Sequence, residues 1–396
     1  MKRLLPLFVL ILTLAFAHAA DLTFYVGTGG GGGGKGIYKC TLDSDTGKLG
    51  PITLAAAAPS PGFLAMTPDG KFIYASSDDK GGSAIAFKVE KDGSLTLLNE
   101  QAQGKGGGAA HVWFDPATHD VLTASYGGGY ITVFQTKDDG SLTERTGFYQ
   151  FTGSGPNKDR QEAPHGHSIY TLDYSPEIHK YTTGPTSLKT AVTYVYSCDL
   201  GTDKVWIFKL DAKGALVPND PPFAMVPPGS GPRHLAFSPD GKRVYVANEM
   251  GHTVTCFNFD PKNGGLTQFQ NISTFPPGTE ANYTGTMTVA EIYFHPSGKW
   301  LYVTNRDVDE KGRDSIAVYS VGADGKLTWI QDVPSPVKFP RGFGLDPAGH
   351  WLVVAGQHDN KISPLKIDQQ TGKLTPTDQF VEAGEPICIQ FAQPSK

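Results

Sequence analysis

One unit recurs along this chain and leaves little choice of fold: a short strand, a tight turn built on proline and glycine, and a second strand. The copies read FLAMTPDGKFIYASS, HLAFSPDGKRVYVANE, IYFHPSGKWLYVTNR and GFGLDPAGHWLVVAG, with a looser one in HVWFDPATHDVLTASY. Proline presets φ at the turn and glycine relieves its strain, so each copy predicts an antiparallel hairpin. A third strand follows (AIAFKVE, ITVFQTK, VWIFKLD, TVTCFNFD, SIAVYSV, ISPLKID), and a turn such as DGSL, DGKL or TGKL leads into a fourth. Four short strands per unit make one propeller blade. The 48 glycines and 29 prolines suit such a chain and leave little room for long helices.

The turn prolines Pro68, Pro116, Pro239, Pro296 and Pro347 mark five blades. A sixth fills the gap between Pro116 and Pro239, running from His165 through TYVYSCDLGTDKVWIFKLD, with an insertion around Ser175 to Ala191 widening its first hairpin. The N-terminal segment LTFYVGT…GIYKCTLDSDTGKL holds only the later part of a unit, and EPICIQFA at the C-terminus supplies the missing inner strand. The expected architecture is all-β: a seven-bladed propeller of four-stranded blades, closed by strands from both termini so that no sheet edge stays open. It fills residues 20–396 as one domain, at about 54 residues per blade.

The first residues, MKRLLPLFVLILTLAFAHAA, combine a basic start, an apolar stretch and a small-residue end, the pattern of a secretory signal peptide over residues 1–19. Cleavage there removes Lys2 and Arg3 and takes the net charge from −5 to −7, so an exported protein, periplasmic or extracellular, is expected. No cysteine at the cleavage point suggests a lipid anchor, and no later apolar run approaches a membrane span. The charge balance carries no nucleic-acid footprint. Cys40, Cys198, Cys256 and Cys388 lie in strand-like runs without zinc-site spacing and read as buried thiols, although an oxidising compartment would permit a bridge.

Equivalent positions in successive blades fall on rings around the central channel. Ten residues after each turn proline stand Asp78, Tyr126, Glu249, Arg306 and Gln357, with Asp199 in that place in the irregular blade. Six residues before it stand Gly62, Ala110, Arg233, Ala290 and Arg341, with His167 near that place in the irregular blade. Both rings lie at the same end of their hairpins and are expected to face one mouth of the channel. Arginines there suit a carboxylate or phosphate, Glu249 beside them should be ionised, and His167 should exchange a proton near neutral pH.

The YVGT opening, HGHSIY, CDLGTDKVWIF, GPRHLAFSPDGKRVYVANE, the TNR before DSIAVYS and the TGKL turns resemble the seven-bladed β-propeller lactonase family. That family includes 6-phosphogluconolactonases of one type and fungal 3-carboxy-cis,cis-muconate cyclases. The resemblance implies that His167, Arg233, Glu249 and Arg306 match the His, Arg, Glu and Arg proposed to act in the cyclases. Arg341 and Gln357 resemble substrate contacts, Asp199 and Tyr126 join them as binding candidates, and His165 is the reserve for His167. The function so implied is an exported lactonase acting on a small anionic sugar-acid lactone, as a monomer, with no cofactor and no metal. A muconate-type lactonizing cyclase and a non-catalytic secreted binding or scaffold propeller are the alternatives.

Other signals are weaker. The glycine run Gly29 to Gly34 before Lys35-Gly36 lacks the Ser or Thr and the helix of a phosphate loop and reads as a flexible loop. No G-x-S-x-G elbow or H-E-x-x-H motif occurs, and His165-x-His167 offers only two nitrogens to a metal. Asn271-Ile-Ser and Asn282-Tyr-Thr are glycosylation sequons.

Overall fold

A computed structural model describes residues 21–104, 106–172, 193–279 and 287–392. The leader, the insertion around Ser175 to Ala191 and the Asn282 sequon lie outside the described residues. Among the described residues the regular elements are β-strands and one 3-10 turn at Asp79–Gly81, and the strands form seven antiparallel sheets. Each sheet is one blade; six take their strands in sequential order and one takes its inner strand from the C-terminus. The seventh blade, one of the six, breaks its outer strand into Leu374–Pro376 and Val381–Glu382, both paired with Lys361–Ile367.

The innermost strands are Pro61–Met66, Ala109–Asp115, Gly166–Leu172, Pro232–Phe237, Met287–Phe294, Pro340–Leu345 and Pro386–Phe391. Each touches the next in that order, and Pro386–Phe391 returns to touch Pro61–Met66, so the blades form a closed ring. The last of these strands pairs antiparallel with Asp21–Thr28, with Val26 opposite Ile389, and completes the blade of the N-terminal strands. At the joint with the seventh blade the backbones run close together. A Cβ on Gly342 would lie 2.2 Å from the carbonyl oxygen of Ile387, so only glycine fits.

The repeated sequence turns have two physical jobs. In TPDGK and SPDGK, Asp69 and Asp240 accept hydrogen bonds from the hydroxyls of Thr67 and Ser238 and from the backbone two residues on, while Gly70 and Gly241 take φ of 70° and 66°. The glycines of the outer turns receive the neighbouring blade. Tyr25, Tyr74, Tyr196, Tyr245 and Tyr302, each on the second strand of its blade, donate their hydroxyls to the carbonyls of Gly93, Gly140, Gly264, Gly325 and Gly372 in the following blade. Between the seventh blade and the closing one, the indole of Trp351 does the same work by donating to Ser44 O. Around these staples, apolar clusters fill the wedges between adjacent sheets. All four cysteines are free and buried within them.

Two outcomes follow. Tyr245→Phe removes one buried interblade hydrogen bond of 2.6 Å and should cost about 1 kcal/mol, read as a lower denaturant midpoint at unchanged slope. Deleting the chain after Ala383 removes the inner strand of the closing blade, exposes two sheet surfaces, and should lower the melting temperature of the whole molecule. An unchanged melting temperature would contradict the closed ring.

Candidate active site

In an antiparallel ladder, successive side chains point to opposite faces, so a strand lining a channel shows it every second residue. Here every innermost strand breaks that rule at its start. The pairing register slips by one residue or more at His167, at Arg233 and at Arg341, each of which lies between two paired neighbours and has no partner of its own. Equivalent slips fall at Ala110, at Gly62-Phe63, at Ala290-Glu291 and at Ile387 in the remaining blades. These are β-bulges, which bend the strand and re-aim a side chain. The ring read six residues before each turn proline is the ring of bulges. Four of these strands begin with a proline preceded by a residue of positive φ, Ser60, Gly231, Phe339 and Glu385, which suits proline's lack of a ladder donor.

Glu249 lies one residue beyond the strand Arg243–Asn248 and is the centre of the cluster the bulges face. Its Oε1 is 2.8 Å from Nη2 of Arg160, and its Oε2 is 3.1 Å from both Arg233 Nε and Arg306 Nη2 and 3.7 Å from His167 Nε2. Arg233 and Arg306 are buried and tied to the bulge of the sixth blade: Arg233 Nη1 donates to Ala290 O at 2.7 Å and Arg306 Nη2 to Val289 O at 3.2 Å. The Phe339 ring lies against the Arg306 guanidinium at 4.9 Å. The structure therefore brings together His167, Arg233, Glu249 and Arg306.

Burial pushes the Glu249 carboxyl up, but Arg306, Arg233 and Arg160 outweigh it and hold it at about 2, so it is ionised. The same crowding acts against the arginines. Burial, with Arg233 and Arg341 nearby, brings Arg306 down to about 9 against the pull of Glu249, and burial with Arg233 brings Arg341 down to about 10. His167 corrects the sequence expectation. Burial first, then the charges of Arg233 and Arg341 among others, keep it well below its usual range, so it is neutral at neutral pH and not an exchanger there.

The other candidates fall into three places. Tyr126 and His165 stack at 4.5 Å beside His167 and form one wall; His165 bonds Tyr126 O and Glu162, so it and His167 do not converge as metal ligands. Gln357 donates to Glu385, whose other oxygen accepts from Gly32 N, and burial raises the Asp78 carboxyl against the pull of Arg341. Asp199 does not join the cluster. Its carboxylate is consumed by its own loop, accepting from His165 N, Gly201 N, Thr202 Oγ1 and Trp206 Nε1. The glycine run is also not the slack loop expected from its composition. It wraps the Glu385 side chain so closely that a Cβ on Gly29 would lie 2.5 Å from that carboxyl carbon, and one on Gly34 2.3 Å from Gly29 O.

Sequence reading missed two groups. Arg160 sits on the connector from the third blade to the fourth, outside any blade register. The signal for it was the direction of the strands: innermost strands start at the mouth, so long connectors into them must cross it. Beneath the arginines, His234 Nδ1 lies 2.8 Å from Glu291 Oε1, with the rings of His111, His167 and Phe63 packed against His234 at 5.1 to 5.2 Å. Burial raises Glu291 to about 7 despite Arg233 and drives His234 well below its usual value, and the pair forms the floor of the site. Among the described residues, Arg233 Nη2, Arg306 Nε, Arg341 Nε and His167 Nδ1 are buried without a hydrogen-bond partner.

Residues 23–391 match the family described as Lactonase, 7-bladed beta-propeller. The chain is 33% identical over 371 residues to the 6-phosphogluconolactonase of Bacillus subtilis, covering 93% of this chain and 97% of that protein. It is 30% identical over 336 residues to a 6-phosphogluconolactonase of Formosa agariphila, covering 83% and 87%. The solved periplasmic gluconolactonase PpgL of Pseudomonas aeruginosa superposes with a TM-score of 0.82 at 25% identity, covering 94% of this chain and 99% of that one.

The depressed Glu249 carboxyl stabilises the fold above its unfolded value, near 4.5, and that contribution is lost as pH falls toward about 2. Glu249→Gln leaves the buried arginines unpaired and should cost about 3–5 kcal/mol at pH 7. In parallel denaturant titrations, the gap between wild type and variant should stay wide down to pH near 4.5 and close below it.

Proposed function

The chain belongs to the seven-bladed β-propeller lactonase family, and on that premise we propose that it hydrolyses the ring ester of a small anionic sugar-acid lactone outside the cytoplasm. The observation that carries this reading is the convergence of three arginines on Glu249 at one mouth, with further guanidinium donors unpaired beside it. Planar guanidinium groups bind an acid group by paired hydrogen bonds. They also stabilise the oxyanion that forms when a carbonyl is attacked.

In the reaction, a water O–H bond breaks and its proton passes to Glu249 while the water oxygen bonds to the lactone carbonyl carbon. The carbonyl electron pair moves onto oxygen, which Arg233 and Arg306 face. Collapse of this intermediate breaks the ring C–O bond, and the leaving alkoxide takes the proton from Glu249, giving the open hydroxy acid. His167, neutral and 3.7 Å from Glu249, orients the carboxylate without competing for that proton. Export rests on the leader sequence and on the likeness to a periplasmic gluconolactonase.

The test is acid release at constant pH from 6-phosphogluconolactone and glucono-lactone, above the spontaneous rate. Glu249→Gln keeps the shape of the side chain but accepts no proton, so turnover should fall about 10²- to 10⁴-fold with KM little changed. Full turnover by a folded Glu249→Gln protein would remove Glu249 as base. Mass spectrometry of the protein recovered outside the cytoplasm should give a chain starting at Ala20.

A further inference from the structure

The three arginines around Glu249 are not mounted alike. Arg233 and Arg306 are buried, and each also donates to a backbone carbonyl of the sixth-blade bulge. Arg160 has a side chain 40% exposed and is carried by a connector. Among the described residues, both bonds of its guanidinium run through a single nitrogen, Nη2, to Glu249 and to the Tyr126 hydroxyl. Its base is nevertheless fixed. The neighbouring Gln161 is buried, donates its side-chain amide to Leu200 O and Asp203 Oδ1, and accepts from Asn157 N. Arg160 is thus a long cationic side chain on a rigid post, able to leave Glu249 by bond rotation alone.

We propose that Arg160 is the gate that couples recognition of an anionic substrate to activation of Glu249: the acid group of the arriving lactone draws the guanidinium off the carboxylate, which then takes the proton from water. This rests on the lactonase reading and adds to it the reason for anion selectivity. A carboxylate held by three arginines is a weak base, and its hold on a proton strengthens when one of them turns to another anion. Arg233 and Arg306 stay in place through their backbone bonds and serve the oxyanion. A neutral lactone leaves Arg160 on Glu249 and meets an inactive base. Besides Arg160, the charged or titratable groups that face Glu249 are His167 of the fourth blade, Arg233, His234 and His252 of the fifth, Arg306 of the sixth and Arg341 of the seventh.

The experiment has two arms. In the first, kcat/KM is measured across pH for 6-phosphogluconolactone and for neutral glucono-lactone with wild type, Arg160→Ala and Arg160→Lys. Arg160→Ala should lose about 10²-fold on the phosphorylated lactone and gain about 3-fold or more on the neutral one, where its acid limb should also rise by about one pH unit. Arg160→Lys keeps the charge without the planar fork and should fall between. Equal losses on both lactones with an unmoved acid limb would make Arg160 a structural clamp and overturn the gate. The second arm needs no turnover. Inorganic phosphate is titrated into the protein at pH 3.5 by calorimetry in two buffers of different ionisation enthalpy. Wild type should take up a fraction of a proton per phosphate bound, and Arg160→Ala and Glu249→Gln should take up none. Proton-neutral binding to wild type overturns the gate. Proton uptake in a protein that hydrolyses neither lactone keeps the gate and removes the lactonase reading.

Discussion

The site depends on one irregularity repeated around the ring: an extra residue near the start of each innermost strand. Without it, the strict alternation of a β-strand would fix which side chains reach the channel and send the neighbours of each into the wedge between blades. With it, His167, Arg233 and Arg341 have no ladder partner. Arg233 and His234 can then both serve the channel, one in the mouth and one in the floor. In the sixth blade the carbonyls of the bulge residue Ala290 and of Val289 just before it hold the two buried arginines. The bulges therefore aim the cationic groups and also anchor them.

A second consequence is the balance of charge in a small volume. One carboxylate faces three guanidinium groups at 2.8 to 3.1 Å, with Arg341 close behind. Burying so many like charges costs stability unless they are paired, and Glu249 alone does not neutralise them. The cluster tolerates that imbalance because the staples and apolar wedges elsewhere hold the blades, so the mouth need not contribute to stability as a whole. Surplus positive charge attracts an anion, and in the proposed function chemistry and selectivity would have the same origin.

Much of this was legible in the sequence, for reasons tied to particular residues. The Pro-x-Gly turns declare the hairpins because few residues can take φ near 70°, as Gly70 and Gly241 do. EPICIQFA was recognisable as the closing strand because the first blade lacked one. The two mouth rings were visible because register repeats. What stayed hidden lay outside register or depended on partners. Arg160 comes from a connector whose length, not its position in a blade, brings it to Glu249. Asp199 occupies a ring position, yet its oxygens are taken by four local donors, a fact no spacing encodes. The proton affinity of His167 follows from burial among arginines that are distant in sequence, and the glycine run is ordered by Glu385, more than 350 residues away.

The pairing that closes the ring also decides how the molecule responds to force. Asp21–Thr28 and Pro386–Phe391 run antiparallel, with Phe24 opposite Phe391, so residues 21 and 392 leave the blade at the same end of the strand pair. Tension between them falls first on the outermost bond, Ala392 N to Thr23 O, and then on each rung in turn. The rungs peel singly and never share the load as they would in shear. Held at residues 21 and 392, this propeller is a zipper with its tab exposed, mechanically weakest along the line where these two strands meet.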